Sequence, residues 1–470
     1  MTGPPVIPPT LSGFDFRVLA FDRTGAPVDQ TQIDAVRVLG APERTDPVTD
    51  LVVVSHGWNN DDTEALTLYT NLAASMAAVL AANEAITSAL SGRRLGLAGV
   101  FWPSKRFADA ELILGGAAGL GGQEEQLLAR IYELRGAFDA PDAAVRLDAA
   151  AALVPQLMGS SAALETFIEQ VRQLVPASAS GPGAEDYDAA DLFRGLAASI
   201  IADRLADPTL GDPQLEDALL GGAAGPDTPE GAERDGRVVL VTEGPREAVD
   251  VGSAAFFGLP PSPLDAAHRW LNLTTYYQMK QRAGLVGERG LAPVLDTVVS
   301  PGQRLHLVGH SFGARLVTAA AARLQHPVAS ICLLQAAFSH YAFAQDWERG
   351  RDGAFRDVLS QHRLAGPMIV THTRNDRAVG IAYALASRLA RQVASAIGDA
   401  SSRYGGLGSN GAQRTPEAEW ADLHDASYRY SFAQGRVYNL LADRYIANHG
   451  DVAGQAVANA VLAATWLRPR

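Results

Sequence analysis

A serine in a tight glycine frame, with aspartates and histidines placed after it, could carry acyl-transfer chemistry in this chain. The serine is Ser311, within Arg304 to Thr318 (RLHLVGHSFGARLVT). Leu305, Leu307 and Val308 make a short apolar run, Gly309-His310-Ser311-Phe312-Gly313 follows, and Ala314 to Leu324 continues with helix-forming residues. A strand that delivers a serine onto a sharp turn, with a helix leaving directly behind it, exposes the hydroxyl at the end of a sheet. The turn strains the serine backbone and brings strand and helix close, so small residues are needed on both sides. Gly309 and Gly313 supply them. Chance produces the bare pentapeptide in many chains, and its plainest alternative is an ordinary strand-to-helix loop. Pro301-Gly302 as a turn before the strand and the helical run after it favour the nucleophile turn.

A serine hydroxyl is a weak nucleophile alone. It needs a base within hydrogen-bond reach and a third group to hold that base's tautomer. In a doubly wound sheet such groups project from the C-terminal ends of later strands. Asp376 stands in the loop just past the strand-like Met368 to Val370, where a carboxylate could reach an imidazole; a turn or helix-capping aspartate is the plain alternative. Asp346 and Asp352 are the reserve positions. Of the ten histidines only His424 and His449 follow Asp376. His449 lies in a glycine-flanked loop, Asn448-His449-Gly450-Asp451, ahead of a helical segment, whereas His424 lies in a polar stretch and is the weaker candidate.

The developing oxyanion also needs donors. One is the backbone N–H of the residue after the nucleophile, Phe312. The other should come from the loop after an earlier strand, where Gly57 in His56-Gly57-Trp58 permits close approach and the N–H of Trp58 could face the charge. The plain alternative is that His56 and Trp58 only close a strand end.

Alternation over Phe14 to Phe21 predicts a strand, and Asp22 to Gly25 a turn. Leu51-Val52-Val53-Val54 has no polar alternation and suits a central parallel strand covered on both faces. A helical pattern follows from Asp61, with Leu66, Tyr69, Ala73, Met76 and Leu80 on one face and Asp61 with Glu64 as a capping pair. Gly96 to Trp102 gives another apolar strand.

Between Ser104 and Pro263 the strand rhythm gives way to helical stretches at Gln123 to Leu134, Leu164 to Val175 and Asp188 to Leu205. One strand-like run, Arg237 to Thr242, has no firm place. Alternation resumes with a helix at Leu264 to Gln281, strands at Ile331 to Phe338 and Pro367 to Thr373, a helix at Ile381 to Ile397, a strand at Arg436 to Leu441 and a helix at Val452 to Leu467. The expected class is α/β: a doubly wound, mostly parallel sheet with a largely helical cap insertion. The core would be split into 14–103 and 264–470 around an insertion at 104–263.

With 470 residues, 47% hydrophobic and 19% charged, the composition is globular. A formal net charge of -13 without any basic run argues against nucleic-acid or anionic-membrane partners. The single cysteine, Cys332, lies in an apolar run and reads as a small hydrophobe. The proline-rich start lacks the features of a secretory signal, and no stretch of about eighteen apolar residues suggests a spanning helix. A soluble, cytoplasmic protein without a transmembrane segment is expected.

Taken together, Gly309-His310-Ser311-Phe312-Gly313, His56-Gly57-Trp58, Asp376 and His449, in this strand-helix order, resemble the α/β-hydrolase superfamily with a serine nucleophile. The resemblance covers Phe14 to Trp102 and about Leu264 to Leu467. It implies Ser311 as nucleophile, His449 as general base and then acid, Asp376 as orienting carboxylate, and Trp58 with Phe312 as oxyanion donors. Ala314 stands where many members have glycine, and the long insertion precedes the nucleophile strand where many place a lid later. A serine at the turn argues against the haloalkane dehalogenase and epoxide hydrolase branches. No metal or nucleotide motif is present, and no cofactor is expected. The implied activity is hydrolysis of a small-molecule carboxylic ester. Thioester, acyl-transfer and peptide chemistry share the same residues, and from another class a non-catalytic interaction protein could keep the fold.

Overall fold

The computed structural model describes residues 5–104, 120–175, 196–205, 262–347, 350–376 and 405–466. The expected strand at Arg237 to Thr242 and the expected helix at Ile381 to Ile397 lie outside the described residues. Among the described residues nine strands form one sheet in the order β1-β2-β4-β3-β5-β6-β7-β9-β8. They are β1 (Thr10–Leu11), β2 (Phe14–Ala20), β3 (Asp50–Ser55), β4 (Leu95–Phe101), β5 (Arg304–His310), β6 (Ser330–Leu334), β7 (Met368–His372), β8 (Ala418–Asp422) and β9 (Val437–Leu441). Only the β1–β2 pair is antiparallel; every other neighbouring pair is parallel. The molecule is therefore of the α/β class with a mostly parallel sheet.

The unbroken apolar run of β3 follows from its place near the middle of that sheet. Leu51 and Val53 point into one core, which holds the helices Gln30–Leu39, Pro263–Leu285, Ala292–Val298 and Phe312–Ala321. Val52 and Val54 point into a second core on the other face, with helices Asp62–Ala82 and Gln455–Trp466. Burial on both faces is what a parallel strand demands, and it explains the absence of polar alternation. Helix Asp62–Ala82 starts where Asp61 caps it: Asp61 Oδ1 accepts from the N–H groups of Thr63 and Glu64, both at 2.9 Å, and Glu64 Oε2 accepts from the Asp61 N–H at 2.6 Å. This capping box matches the pair expected from the sequence. The helix is also long and apolar enough by composition to cross a membrane; here Tyr69, Leu72, Ala73 and Met76 pack into the second core.

Between β4 and β5 the described chain is helical, with helices at Leu120–Glu133, Ala143–Leu153, Ser161–Arg172 and Ala198–Leu205. All but Ala143–Leu153, which packs on its neighbours Leu120–Glu133 and Ser161–Arg172, lie against the long helix Pro263–Leu285, which a second capping box, Ser262 with Asp265, and Pro263 at the first turn initiate. That helix outruns the expected Gln281 end, because it continues through a wider turn at Val286–Leu291 into Ala292–Val298. Ala418–Asp422 was not expected as a strand. It is the exposed outer strand of the sheet, so its AEWAD sequence carries no apolar face to betray it.

Candidate active site

The order of the strands places a crevice before any side chain is considered. From β3 the chain returns to β4 on one side, and after the helical segment it enters β5 on the other side of β3. The strand order reverses there, and the end of the sheet where the loops leave β3 and β5 is the usual ligand position in open α/β sheets. The loop after β3 is His56-Gly57-Trp58, and the residue after β5 is Ser311.

Ser311 has φ 55° and ψ -122°, one of the few non-glycine residues with positive φ. Such a conformation costs on the order of 1–3 kcal/mol and persists only where the surroundings over-determine it. The surroundings do so through backbone bonds and close packing. The Ser311 N–H donates to Leu334 O at 3.1 Å, and its carbonyl accepts from Ala337 N–H at 3.2 Å. A β-carbon on Gly309 would lie 2.4 Å from Ala314 Cα, and one on Gly313 2.3 Å from the carbonyl oxygens of both Ser55 and His56. The glycine frame read from the sequence is thus a steric requirement of this turn. Ser311 starts the helix Phe312–Ala321, whose first N–H groups lack intrahelical partners and point toward the cleft end of the sheet.

Gly57 brings the loop after β3 against this turn. A β-carbon there would meet Ser311 Cβ at 2.7 Å and His310 Nδ1 at 3.0 Å. The loop is held from behind by His56. Its Nδ1 lies 2.9 Å from Gly57 O, its Nε2 accepts from the Trp102 N–H at 3.3 Å, and its ring stacks on Trp102 with centroids 5.6 Å apart. Burial pushes the His56 imidazole down to about 4, so it is neutral at ordinary pH and serves as a brace. Trp58 packs beside the turn, its ring 6.0 Å from Phe312 and 5.6 Å from Tyr276, and Tyr276 lies 4.8 Å from Phe312. Tyr276 of the long helix thus joins Trp58 and Phe312 in an aromatic cluster beside the serine turn.

On the other side, the loops after β7 and β9 meet. His449 Nδ1 lies 2.9 Å from Asp376 Oδ2, and the Asp376 side chain is fully buried while that of His449 is partly exposed. The two loops are tied together by Asn375, whose Nδ2 donates to Asp443 O at 3.0 Å and Ile446 O at 2.8 Å. Thr373 Oγ1 also donates to Asp443 Oδ1 at 2.7 Å. A histidine that gives its Nδ1 proton to a carboxylate presents Nε2 as the basic atom. No hydrogen bond joins Ser311 Oγ to His449 among the described residues. The two meet one residue away, where His310 Nε2 lies 2.8 Å from His449 O and the two imidazole rings are 4.9 Å apart.

The reserve positions are engaged elsewhere. Asp352 Oδ1 accepts from the Asp346 N–H at 2.9 Å, and Asp346 Oδ1 accepts from the Gly350 N–H at 2.5 Å, so both carboxylates cap their own loop. His424 stacks on Tyr428 at 3.8 Å and its N–H donates to Tyr430 Oη.

Two residues of this site went unread in the sequence. His310 stands in the pentapeptide where the pattern accepts any residue. Gln335 follows β6 with φ 44°; with its amide nitrogen turned inward, it donates to Asp376 Oδ2 at 2.9 Å and Gly408 O at 2.7 Å. A buried glutamine aimed at the carboxylate could have been suspected only from its place directly after an apolar strand.

Cys332 is buried in β6, and burial pushes its thiol up to about 12, which keeps it inert. No cluster of metal-ligating side chains occurs among the described residues. No protein-family model matches this sequence, and comparison with curated proteins and with solved structures gives no match.

Proposed function

We propose that this protein is a serine hydrolase of the α/β-hydrolase kind, cleaving a carboxylic ester through an acyl-enzyme on Ser311. The observation that carries the reading is the pairing of two costly features at one sheet edge: a serine strained at φ 55° and a histidine bound to a buried carboxylate at 2.9 Å. In this reading His449 Nε2 takes the Ser311 proton as the hydroxyl attacks the ester carbonyl, and Asp376 steadies the imidazolium through Nδ1. The N–H groups of Phe312 and Trp58 receive the oxyanion. The proton passes to the leaving alcohol, and water activated by His449 releases the acid. The helical segment between β4 and β5 acts as a cap, and the Trp58, Phe312 and Tyr276 rings favour an apolar acyl group.

A fluorophosphonate probe and a series of p-nitrophenyl esters of graded chain length test this. Ser311 is expected to carry the adduct, and turnover is expected to vanish in Ser311→Ala. Folded protein with no adduct at Ser311 would sink the assignment and favour an interaction protein of the same fold. Thioester, acyl-acceptor and peptide substrates run beside the esters separate the leaving groups, since the catalytic residues are shared.

A further inference from the structure

We propose that His310 is a positioning residue: its Nε2–H bond to the His449 carbonyl fixes the base loop against the nucleophile that His310 immediately precedes. This rests on the reading of Ser311 and His449 as nucleophile and base. His310 is the last residue of β5, paired in register with Leu334, so its main chain is as firmly placed as the sheet itself. A carbonyl oxygen can only accept, so the 2.8 Å contact puts the proton on Nε2. Nδ1 is then an acceptor, and it is buried without a hydrogen-bond partner beside Gly57. A hydrocarbon side chain of similar size would fill the position without that desolvation cost. What the imidazole adds is the bond to His449.

That bond supplies an anchor of a different kind from the rest. His449 sits in a loop between β9 and the last helix, where Gly450 N–H binds Asn448 Oδ1 at 3.0 Å and Asp451 N–H binds Asn448 O at 3.2 Å. Those bonds shape the loop but do not tie it to the serine. The Asp376 contact holds the ring at Nδ1, and Asn375 ties the loop's earlier residues at Asp443 and Ile446 to the loop after β7, but none of these bonds joins His449 to the strand that carries the serine. The His310 bond does, and so refers the loop to the same strand end as Ser311. Burial, with the neighbouring His449 in second place, pushes the His310 imidazole down to about 3. An uncharged ring 4.9 Å away does not repel the imidazolium that forms on His449 during turnover.

The test compares His310→Leu, which keeps volume and loses the donor, with His310→Gln, whose amide nitrogen reaches about as far as the imidazole Nε2. Each is assayed with a p-nitrophenyl ester and by the rate of fluorophosphonate labelling at Ser311, with circular dichroism and thermal melting as the check on folding. His310→Leu is expected to lower kcat roughly 10- to 100-fold with KM changed less than about 2-fold, because orientation and not binding is lost. His310→Gln is expected to recover most of the loss. If the leucine variant fails to fold, His310→Met replaces it, being more adaptable in a packed site. Wild-type kcat in a folded apolar variant overturns the proposal, as does a folded glutamine variant no better than the apolar one. Wild-type protein that takes no label at Ser311 instead overturns the hydrolase reading itself, so the two failures are distinct.

Discussion

Strands β3, β5 and β6 carry a serine, a histidine and an aspartate at one end of the sheet as well as contributing to the cleft at the other. At the N-terminal end, Asp50 opens β3, His306 lies in β5 and Ser330 opens β6. Ser330 Oγ lies 2.7 Å from His306 Nδ1, and His306 Nε2 lies 3.0 Å from Asp50 Oδ1. Hydrogen bond for hydrogen bond this chain is more complete than Ser311, His449 and Asp376, yet all three of its members are at most 1% exposed. Asp50 is further bound by Thr49 Oγ1 at 2.7 Å, Arg93 Nε at 3.0 Å and Arg304 Nε at 2.8 Å. Burial alone would raise its carboxyl; the bonds from His306, Arg93 and Thr49 overcome that and hold it well below the usual carboxylate range. Ser330 has ordinary strand geometry and its neighbours' N–H groups belong to the sheet ladder. A relay of hydrogen bonds is thus not what distinguishes the cleft. Backbone strain at the serine, a histidine that is partly exposed, and helix N–H groups without intrahelical partners do.

The sharpest way to break this contrast is to remove each hydroxyl in turn. Ser311→Ala is expected to lower kcat on an ester by about 10⁴- to 10⁶-fold while leaving the denaturation midpoint nearly unmoved or slightly raised. Ser330→Ala is expected to leave kcat within about 2-fold and to cost about 1–3 kcal/mol of stability, because His306 Nδ1 loses its buried partner. Initial rates and urea midpoints on the two variants are enough. Activity lost with Ser330 would mean that the sealed chain takes part in chemistry.

Next in size is the pair of aspartates. Asp50→Asn strands two arginines in a buried site, with an expected cost of about 3–5 kcal/mol and unchanged kcat per folded molecule. Asp376→Asn is expected to reduce kcat by about 10⁴-fold through loss of the required His449 tautomer, with a smaller stability change. Active-site titration corrects for the folded fraction in both. A catalytic collapse in Asp50→Asn at full folding would erase the distinction between the two ends.

How far each end could be read from the sequence follows the same division. The serine turn was legible because its demands are local: two glycines, an apolar strand before and a helix after. The Asp61 and Glu64 capping box was legible for the same reason. Asp376 and His449 stand out as candidates by their positions after strands, and the structure brings them within 2.9 Å of each other. The sealed chain passed unnoticed because its members are neighbours only through parallel register, with His306 opposite Ser330 and Asp50 opposite Arg304. Gln335 and His310 went unread because a donor aimed at a carboxylate or a carbonyl leaves no periodic trace. The strand Ala418–Asp422 lacked the apolar pattern that only burial imposes.

Acid sharpens the comparison at a smaller scale. His56 and His310 line the cleft end, and burial lowers their imidazoles to about 4 and about 3. Between pH 6.5, the ordinary value for an unfolded histidine, and those lowered values, the unfolded chain binds protons that the folded chain refuses. Stability is therefore complete above about pH 6.5 and falls as pH drops, by about 1.4 kcal/mol per pH unit for each histidine. The depressed Asp50 carboxyl acts lower: its contribution is present above about pH 4 and is lost only as pH falls from there toward its folded value. Urea midpoints from pH 7.5 to 4.5 should decline, and His56→Gln should make the decline shallower by about 1.4 kcal/mol per pH unit. An unchanged slope in that variant would show that His56 is not excluded from protonation by burial.

The smallest expected effect belongs to Gln335, which touches the cleft only through Asp376. The same Asp376 Oδ2 that receives His449 Nδ1 at 2.9 Å receives the Gln335 amide at 2.9 Å. A carboxylate oxygen accepts both, and the second donor fixes the plane in which the first must approach. Gln335→Leu removes the donor while keeping apolar bulk, leaving Asp376 held less firmly and Gly408 O without that partner. An orienting role predicts a fall in kcat of about 10-fold, near 1.4 kcal/mol, with KM little changed. Gln335→Glu should be worse than leucine at neutral pH, since a second carboxylate facing Asp376 raises the proton affinity of the pair. Its activity should then recover as pH is lowered toward the range where that extra carboxyl is protonated and can donate. A Gln335→Glu variant with the wild-type pH profile would mean that the amide does not face Asp376, and the carboxylate would then be oriented without help from the glutamine.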